Sequence, residues 1–417
     1  MTILIVGGGI AGLSLGLTLH QIGVPFRIFE AAQEIHPMGV GINLQPNAVR
    51  ELFEMGLEHE LDAIGVRTKQ YGFYSKLGKT IWEEPRGTWA RYTWPQYSVH
   101  RGELQMMLYR ALLDRAGPDC IETGARAFGF KGPSTLLLDQ GRSAEGALIV
   151  AADGIHSALR AQMYPDEGEP IWNGRVLWRA TTQAPEFQGG AAMVMIGHDD
   201  LRVVAYPISE PDPESGMTTL NWIAEKRFPL DAAWKKEDWN RPADIAEFLP
   251  DFESWQFDWI DVPSLINGAS VVFEYPMVDR DPLPRWTQGA VTLMGDAAHP
   301  TYPIGSNGAS QAIVDARIIG ARLLEHGIAP QALEAYEEQV RPITTGVGLA
   351  NRAGGGPDAV LQRVEDLCGG EFEVIEDVIP RADLAAHAEK YKSIAGFSIE
   401  ALNAKPRIIP EGARVDG

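Results

Sequence analysis

The chain opens with a β-strand pattern that leads directly into a glycine-rich turn. Ile3 to Val6 is an apolar run of strand length, and Gly7-Gly8-Gly9-Ile10-Ala11-Gly12 follows it. At this spacing Gly7 permits a sharp turn, Gly9 lets a pyrophosphate approach the backbone, and Gly12 allows the next helix to pack closely on the strand. The N-terminus of that helix would direct free N–H groups at the phosphates. The pattern predicts a dinucleotide-binding βαβ unit.

A second strand supports this interpretation. Phe26 to Phe29 is a short apolar segment that ends at Glu30. In a βαβ unit of this kind, an acidic residue at the end of the second strand accepts hydrogen bonds from ribose hydroxyls. Strand, glycine motif, helix, strand and acid therefore occur in the order that dinucleotide binding requires.

Two later motifs specify which dinucleotide. The buried-type strand Ala147 to Ala152 runs into Asp153-Gly154, and the strand Val291 to Met294 runs into Gly295-Asp296. We expect Asp296 to bind the ribityl chain of a flavin, and Asp153 to support the pyrophosphate region or to cap a helix. Glycines in the segment Pro303 to Ser310 would lie against the flavin ring, and the following helix would direct its N-terminus at the N1/C2=O edge. Together the three motifs predict FAD.

Composition limits the class of partner. The net charge of −20 argues against nucleic acid and against an anionic membrane surface as partners. Cys120 and Cys368 are the two cysteines, which provide neither a disulfide framework nor metal-ligand spacing, so we expect no metal and a reducing, cytoplasmic location. No apolar run approaches the roughly 20 residues that a membrane span needs.

The pattern along the chain predicts an α/β fold with an insertion. Short β-rich segments separated by proline and acidic turns follow residue 170, and they predict an antiparallel sheet that forms a substrate-pocket wall. The expected architecture is a Rossmann-like, GR2-type FAD-binding domain with an inserted antiparallel β-sheet substrate domain and a C-terminal helical tail. The boundaries are 1–165 and 285–352 for the FAD-binding domain, 166–284 for the sheet, and 353–417 for the tail. The polar end of the tail is a candidate for disorder.

The order and spacing of the three motifs resemble those of the single-component FAD-dependent aromatic hydroxylases, the para-hydroxybenzoate hydroxylase class. The resemblance covers roughly residues 1–352. Four runs within it look most like the bacterial phenazine hydroxylases that complete pyocyanin synthesis: Gly39–Asn43, Tyr97–Gln105, Tyr275–Pro284 and Gly308–Ile313. One departure is Ser310, since many members of the class have asparagine there.

The resemblance implies an FAD-dependent monooxygenase that hydroxylates an aromatic or heteroaromatic small molecule. NADH or NADPH would reduce FAD, and O₂ would be trapped as a flavin C4a-hydroperoxide. The sequence has no second GxGxxG, so the nicotinamide would bind transiently. As a separate expectation, the protein would be a monomer or homodimer. The predicted FAD-binding residues are Gly7, Gly9, Ile10, Ala11, Gly12, Glu30, Gly41, Arg101, Ala127, Asp153, Asp296, Gly305, Gly308 and Ala309.

No residue is assigned as a catalytic acid or base. The pocket candidates are aromatic or charged residues on the predicted β-wall or beside the Gly295-Asp296 motif: Arg179, Tyr206, Trp222, Tyr275 and His299. Arg179 is suited to a substrate carboxylate. For each candidate, packing is at least as good an interpretation.

Other reactions on the same framework stay open. A flavin-dependent halogenase usually carries a Trp-x-Trp-x-Ile-Pro motif, and the nearest string here, Trp255 to Ile260, does not match it. An epoxidase or ketone oxygenase remains compatible with the motifs. An oxygen-independent flavin reductase or a flavin-binding sensor is less well supported, because a reductase would be expected to carry a cysteine pair or a proton donor near the flavin.

Overall fold

The computed structural model describes residues 1–232, 241–394, 396 and 398–415. In chain order the strands are β1 (Ile3–Val6), β2 (Phe26–Phe29), β3 (Gly41–Leu44), β4 (Gly65–Thr68), β5 (Gln70–Tyr74), β6 (Thr80–Pro85), β7 (Gln96–His100), β8 (Ile121–Glu122), β9 (Ala127–Lys131), β10 (Thr135–Leu138), β11 (Ser143–Glu145), β12 (Leu148–Ala151), β13 (Ile171–Pro185), β14 (Ala192–Gly197), β15 (Leu201–Pro207), β16 (Met217–Arg227), β17 (Arg241–Pro242), β18 (Gln256–Phe257), β19 (Ile260–Asp261), β20 (Phe273–Asp279), β21 (Thr287–Gln288) and β22 (Val291–Leu293). The α-helices are α1 (Ile10–Gln21), α2 (Pro46–Glu54), α3 (Glu58–Ile64), α4 (Arg101–Ala116), α5 (Ala158–Met163), α6 (Val262–Asn267), α7 (Gly308–His326), α8 (Pro330–Arg352), α9 (Ala359–Cys368), α10 (Arg381–Ile394) and α11 (Ile399–Ala404).

A six-stranded sheet forms the core of the nucleotide-binding part, in the order β21-β22-β12-β1-β2-β8. Strand β1 lies between β12 and β2, and Ile3 pairs in parallel with Leu148 and Phe26. Every residue of β1 and β12 is buried, as expected for parallel strands covered on both faces. Helix α1 is buried on most of its surface against α7 and α4. The predicted Rossmann-like fold is confirmed.

The second large sheet has eight strands, in the order β17-β20-β13-β16-β15-β14-β5-β6. Its pairings are antiparallel except between β14 and β5, which run parallel. Strands β5 and β6 come from before residue 166, so the sheet extends beyond the segment 166–284. The reason is that β14 is buried along its whole length and its outer edge needs hydrogen-bond partners, which β5 supplies.

The two faces of this sheet have different neighbours because side chains alternate along a strand. On β16, Ile223 and Glu225 face a cavity, whereas Trp222 and Ala224 belong to an apolar cluster on the opposite face. The Trp222 indole N–H donates to Thr182 Oγ1 at 3.0 Å within that cluster. Trp222, a candidate pocket residue from the sequence, therefore packs away from the cavity.

Helices α7 and α8 complete the nucleotide-binding part. The glycine-containing run Gly346 to Asn351 lies inside α8 and follows no strand, so it lacks the strand-turn-helix context of a dinucleotide fingerprint. Within the part of the chain that the structure describes, no helix combines the length and apolarity needed to cross a membrane.

The described residues of the C-terminal segment, 353–394, 396 and 398–415, pack on both parts of the protein. Ion pairs between Lys76 and Glu365 (2.5 Å) and between Lys392 and Glu84 (3.0 Å) join it to β5 and β6 and their connection. Its end returns to the nucleotide-binding part, where Ile409 is buried and the Val415 N–H donates to the Ile22 carbonyl at 3.0 Å. The expectation of a disordered polar end was wrong for residues 398–415, because scattered apolar side chains anchor this segment to the core.

Candidate active site

A cavity with about 590 Å³ of water-accessible space lies between the two large sheets. It opens at the carboxyl ends of β1, β2, β12 and β22, where ligands bind in open α/β sheets. Apart from Gly12 and Ala127, every predicted FAD-binding residue lines it: Gly7, Gly9, Ile10, Ala11, Glu30, Gly41, Arg101, Asp153, Asp296, Gly305, Gly308 and Ala309. The structure thus brings together residues from three distant segments of the sequence.

One end of the cavity is built to receive phosphate. Helix α1 begins at Ile10 with no side-chain cap and no acidic residue in its first turn, so its first N–H groups are available to an anion. A Cβ built on Gly9 would meet no atom within 4 Å, which leaves room for a ligand to approach the backbone. The Arg101 side chain lines the same region and makes no ion pair with any described residue. These features fit a pyrophosphate.

Two glycines of the opening motif are required by packing. Gly7 has φ +101°, and a Cβ there would lie 2.5 Å from the Ala152 carbonyl oxygen. A Cβ on Gly12 would lie 2.0 Å from the Gly7 carbonyl oxygen. Gly12 therefore acts behind the cavity, by holding α1 against the β1 turn, and this explains why it does not line the cavity itself.

Glu30 and Asp153 both line the cavity, and both accept hydrogen bonds from backbone N–H groups. The Glu30 carboxylate accepts from the Gly8 N–H at 2.6 Å and from the Ala32 N–H at 2.7 Å. Asp153 Oδ2 accepts from the Ala158 N–H at 3.0 Å, at the start of α5, while Oδ1 has no hydrogen-bond partner. Burial raises the pKa of Asp153. Asp153 therefore helps to hold the start of α5, whose N-cap residue is Ser157, and its unpartnered oxygen is enclosed by the protein.

Ala127 does not belong to this site. It lies on β9 and pairs with Leu138 of β10, in a separate three-stranded sheet. The neighbouring Ala125 is the residue tied to the nucleotide-binding part, since its N–H donates to the Glu30 carbonyl at 2.8 Å. The prediction for Ala127 is therefore corrected.

The other end of the nucleotide site is formed by Asp296 and the turn before α7. The Asp296 carboxylate is open to the cavity and makes no hydrogen bond with a described residue, although the surrounding protein raises its pKa by burial. Gly305 (φ +75°) and Ser306 (φ +55°) have left-handed backbone conformations that bring the turn to the cavity wall. Helix α7 then begins at Gly308 without a side-chain cap. An unpaired carboxylate and an open helix N-terminus fit the ribityl chain and the flavin ring edge.

Ser310 has a structural role. It is fully buried, and its hydroxyl accepts from the Gln45 N–H at 3.0 Å, which fixes the start of α2 against α7. Gln45 in turn donates from Nε2 to the Gly305 carbonyl at 3.3 Å. The hydroxyl at position 310 therefore supports the flavin-side turn without facing the cavity.

The part of the cavity beyond the predicted nucleotide site lies against the eight-stranded sheet. Its wall is apolar and rich in sulfur and aromatic side chains, which suits a flat ligand. These residues are Tyr71, Leu177, Met193, Met195, Val204, Tyr206, Ile223 and Met277. Tyr206 was one of the five pocket candidates from the sequence, and Met277 was also expected on the β-wall. The alternation of β14 to β16 was the signal for several others, but it does not tell which face meets the cavity.

Arg179 lies on this wall, as the sequence predicted. Its Nη2 donates to the Gly41 carbonyl at 3.1 Å, its Nε has no hydrogen-bond partner, and its guanidinium lies 5.7 Å from the centre of the Tyr275 ring. Burial raises the pKa of Tyr206 to about 12 against the opposing charge of Arg179, so the Tyr206 hydroxyl is protonated at neutral pH. Tyr275 does not line the cavity itself. Its ring lies beside the guanidinium of Arg179, which does line the cavity.

A buried ion-pair cluster closes the far end of the cavity. Arg202 on β15 donates from Nε to Glu225 Oε2 at 2.6 Å and from Nη1 to Asp358, which comes from the C-terminal segment. Arg202, Glu225 and Asp358 all line the cavity. Burial by itself would raise the pKa of Asp358, but the charge of Arg202 lowers it below its usual value. Sequence analysis did not identify these residues, because no local pattern connects them.

His299, the remaining pocket candidate, lies outside this cavity. Its Nε2 is 2.6 Å from Oδ2 of Asp315, a fully buried carboxylate that also accepts from the Gly295 N–H at 3.2 Å. Burial would lower the pKa of His299, but Asp315 raises it above its usual value. The pair therefore supports the Gly295-Asp296 turn from behind.

The His299–Asp315 pair should make the stability of the protein depend on pH. A histidine whose pKa is raised by folding stabilises the protein fully below the unfolded pKa of about 6.5, and the stabilisation is lost as pH rises through the higher folded value. We expect His299→Asn to lower the free energy of unfolding by roughly 3 kcal/mol at pH 6, and by less at higher pH. Urea unfolding of the variant and the wild type at several pH values measures this, with the half-exposed His326→Asn as control. A pH-independent difference would contradict it.

Comparison with known proteins identifies the family. A family model described as an FAD binding domain matches residues 1–348. Over 361 residues the chain is 40% identical to the phenazine 1,6-dicarboxylic acid hydroxylase PhzS of Lysobacter antibioticus, covering 84% of this chain and 89% of that protein. Over 343 residues it is 32% identical to the aurachin C monooxygenase/isomerase of Stigmatella aurantiaca, covering 81% and 84%. The chain belongs to the FAD-binding-domain family that contains these enzymes.

Solved structures have the same fold. Klebsiella pneumoniae HpxO, complexed with FAD and uric acid, superimposes with a TM-score of 0.72 at 24% identity, covering 93% of this chain and 97% of that one. The family match and the relatives identify the chain as an FAD-dependent monooxygenase of the aromatic hydroxylase class, which confirms the resemblance found in the sequence.

Proposed function

We propose that this enzyme hydroxylates a planar aromatic or heteroaromatic acid of the phenazine carboxylate type, with O₂ and NADH or NADPH as co-substrates. The observation that carries the proposal is an apolar, methionine-rich pocket bordered by two arginine side chains, Arg179 and Arg202. Apolar walls favour a flat ring, and a guanidinium favours a carboxylate. The 40% identity to a phenazine 1,6-dicarboxylic acid hydroxylase supports the same substrate class.

The residues of the nucleotide site would hold FAD along the length of the cavity. The N-terminus of α1 and Arg101 would bind the pyrophosphate, Asp296 the ribityl hydroxyls, and the N-terminus of α7 the electron-rich edge of the ring. Bound FAD supplies the oxygen activation that no side chain provides. The apolar wall would exclude water from the reacting atoms and hold the ring of the substrate in place.

The proposal assigns no separate Rossmann site to the nicotinamide. The described residues contain one glycine fingerprint of this kind, after β1, and the glycine-containing run Gly346 to Asn351 lies inside α8. NADH or NADPH would therefore bind transiently at a shared surface. Dependence on a reduced nicotinamide also supports a cytoplasmic location.

A halogenase is the main alternative among flavin enzymes of this fold. The string Trp255 to Ile260, the nearest to a halogenase motif, packs on the face of the large sheet opposite the cavity. Cys120 and Cys368 are unpaired and do not line the cavity, which disfavours a thiol-dependent reductase. Both observations support hydroxylation over these alternatives.

The test is a substrate screen on the purified, FAD-loaded protein. Oxidation of NADH and NADPH would be followed with phenazine-1-carboxylate, smaller aromatic acids and unsubstituted phenazine. The proposal predicts that a carboxylated ring stimulates oxidation and yields a product heavier by one oxygen atom. A chlorinated product in the presence of chloride would favour the halogenase, and stimulation without any oxygenated product would favour a reductase.

Arg179 gives a residue-level prediction. We expect Arg179→Gln to raise KM for the carboxylated substrate about 10- to 100-fold, since a hydrogen bond to a charged group contributes about 1.5–3 kcal/mol. KM for an uncharged aromatic analogue should change little. Steady-state kinetics measures both values, with the exposed Arg110→Gln as a matched control. An equal rise in both KM values would indicate that Arg179 acts by positioning Gly41.

A further inference from the structure

The C-terminal segment contributes the Asp358 side chain to the substrate end of the cavity. Asp358 lies directly before α9, is 6% exposed, and lines the cavity with Arg202 and Glu225. The rest of α9 is held on the large sheet and its connections from outside the cavity. The Gln362 side chain accepts from the Asp199 N–H at 2.9 Å, and Glu365 pairs with Lys76 at 2.5 Å. The segment is therefore fixed where Asp358 meets Arg202.

Arg202 is held at two corners of its guanidinium. It is 2% exposed, and Glu225, its partner across β15 and β16, accepts from Nε, while Asp358 accepts from Nη1. Nη2 makes no hydrogen bond with a described residue and is not among the fully enclosed polar atoms. Because Arg202 lines the cavity, this nitrogen is the part of the guanidinium that remains available there.

The charges around Arg202 make its orientation depend on Asp358. Arg175 lies 3.8 Å from Glu225 Oε2 and 3.2 Å from Asp199, so Glu225 is shared between two arginines. Among the described residues, Asp358 makes its ion pair with Arg202 alone. Without the Asp358 carboxylate, Arg202 would keep one shared acceptor, and the guanidinium could turn about its bond to Nε. A donor that is already fixed loses less entropy when a ligand binds than a mobile donor does. We expect this difference to make binding to the fixed donor about tenfold tighter.

We propose that Asp358 is a positioning residue that holds Arg202 with Nη2 toward a carboxylate of the aromatic substrate. The C-terminal segment thereby helps to select carboxylated rings, although it lies outside the residues matched by the FAD-binding family. The inference rests on the proposed function and adds to it that Asp358 acts on the substrate through Arg202.

The test compares two substitutions on the same segment. Asp358→Asn removes the charge that holds Arg202, and Glu365→Gln removes an ion pair between α9 and the connection of the large sheet without touching the cavity. For Asp358→Asn we expect Kd for phenazine-1-carboxylate, measured by flavin fluorescence, to rise about tenfold. We also expect less oxygenated product per nicotinamide oxidised. Binding of unsubstituted phenazine should change less than twofold, and Asp358→Glu should restore part of the selectivity.

Three outcomes would overturn the inference. Equal weakening for both probes, or the same loss in Glu365→Gln, would show that Asp358 only stabilises the segment. Tighter binding of phenazine-1-carboxylate by Asp358→Asn would show that Asp358 merely repels the ligand. If the wild type neither binds nor hydroxylates any carboxylated ring, the proposed function fails first, so the two failures are distinguishable.

Discussion

The Gly12→Val variant is expected to be purified without FAD. A Cβ at position 12 would lie 2.0 Å from the Gly7 carbonyl oxygen, so α1 must move away from the β1 turn. Overpacking at such a contact typically costs about 1–3 kcal/mol, and this overlap lies at the upper end of that range. The displacement moves the helix N-terminus that would bind the pyrophosphate, and FAD affinity should fall about 100-fold or more. The flavin-to-protein absorbance ratio of the purified variant measures the effect.

Two further glycine variants separate loss of FAD from loss of folding. Gly346 lies in α8 and a Cβ there meets no atom within 4 Å, so Gly346→Val should retain both fold and FAD. Gly9→Ala has the same free space in the protein itself, but the methyl group would occupy the place where a phosphate approaches. It should keep the fold, judged by circular dichroism, and bind FAD more weakly. A Gly12→Val protein that stays fully loaded with FAD would contradict this assignment.

The Asp296→Ala variant is expected to bind FAD about 10- to 100-fold more weakly. The carboxylate is open to the cavity without a hydrogen bond to a described residue, and a hydrogen bond to a charged group contributes about 1.5–3 kcal/mol. Its removal breaks no hydrogen bond to a described residue, so the fold should be unaffected. Titration of the apoprotein with FAD, followed by quenching of flavin fluorescence, gives the dissociation constant.

Asp296→Asn provides the matched comparison. It keeps the shape and one acceptor oxygen, so its FAD affinity should lie between those of the alanine variant and the wild type. The exposed Asp258→Ala serves as a control for loss of charge elsewhere. Unchanged affinity in Asp296→Ala would show that the ribityl chain is bound by other groups.

The nucleotide-binding half of the site could be predicted from sequence because its chemistry is encoded locally. The turn after β1, Asp153 after β12 and Asp296 after β22 each follow a buried strand, and parallel strands bring their carboxyl ends to one edge. Local geometry then decides which residue types are allowed, as the Gly7 and Gly12 contacts show. Ala127 was misplaced because the chain turns into a separate sheet at that point.

The substrate half was decided by tertiary structure. Alternation along β16 indicates that Trp222 and Ile223 point to opposite faces, but only the packing of the two sheets determines that Ile223 meets the cavity. The joining of β5 to β14 and the ion pair of Asp358 with Arg202 link residues far apart in the chain. The sequence by itself determined the cofactor, since a strand, a glycine turn and a helix N-terminus are contiguous. The shape and charge of the substrate pocket depended on long-range packing, for which no local pattern exists.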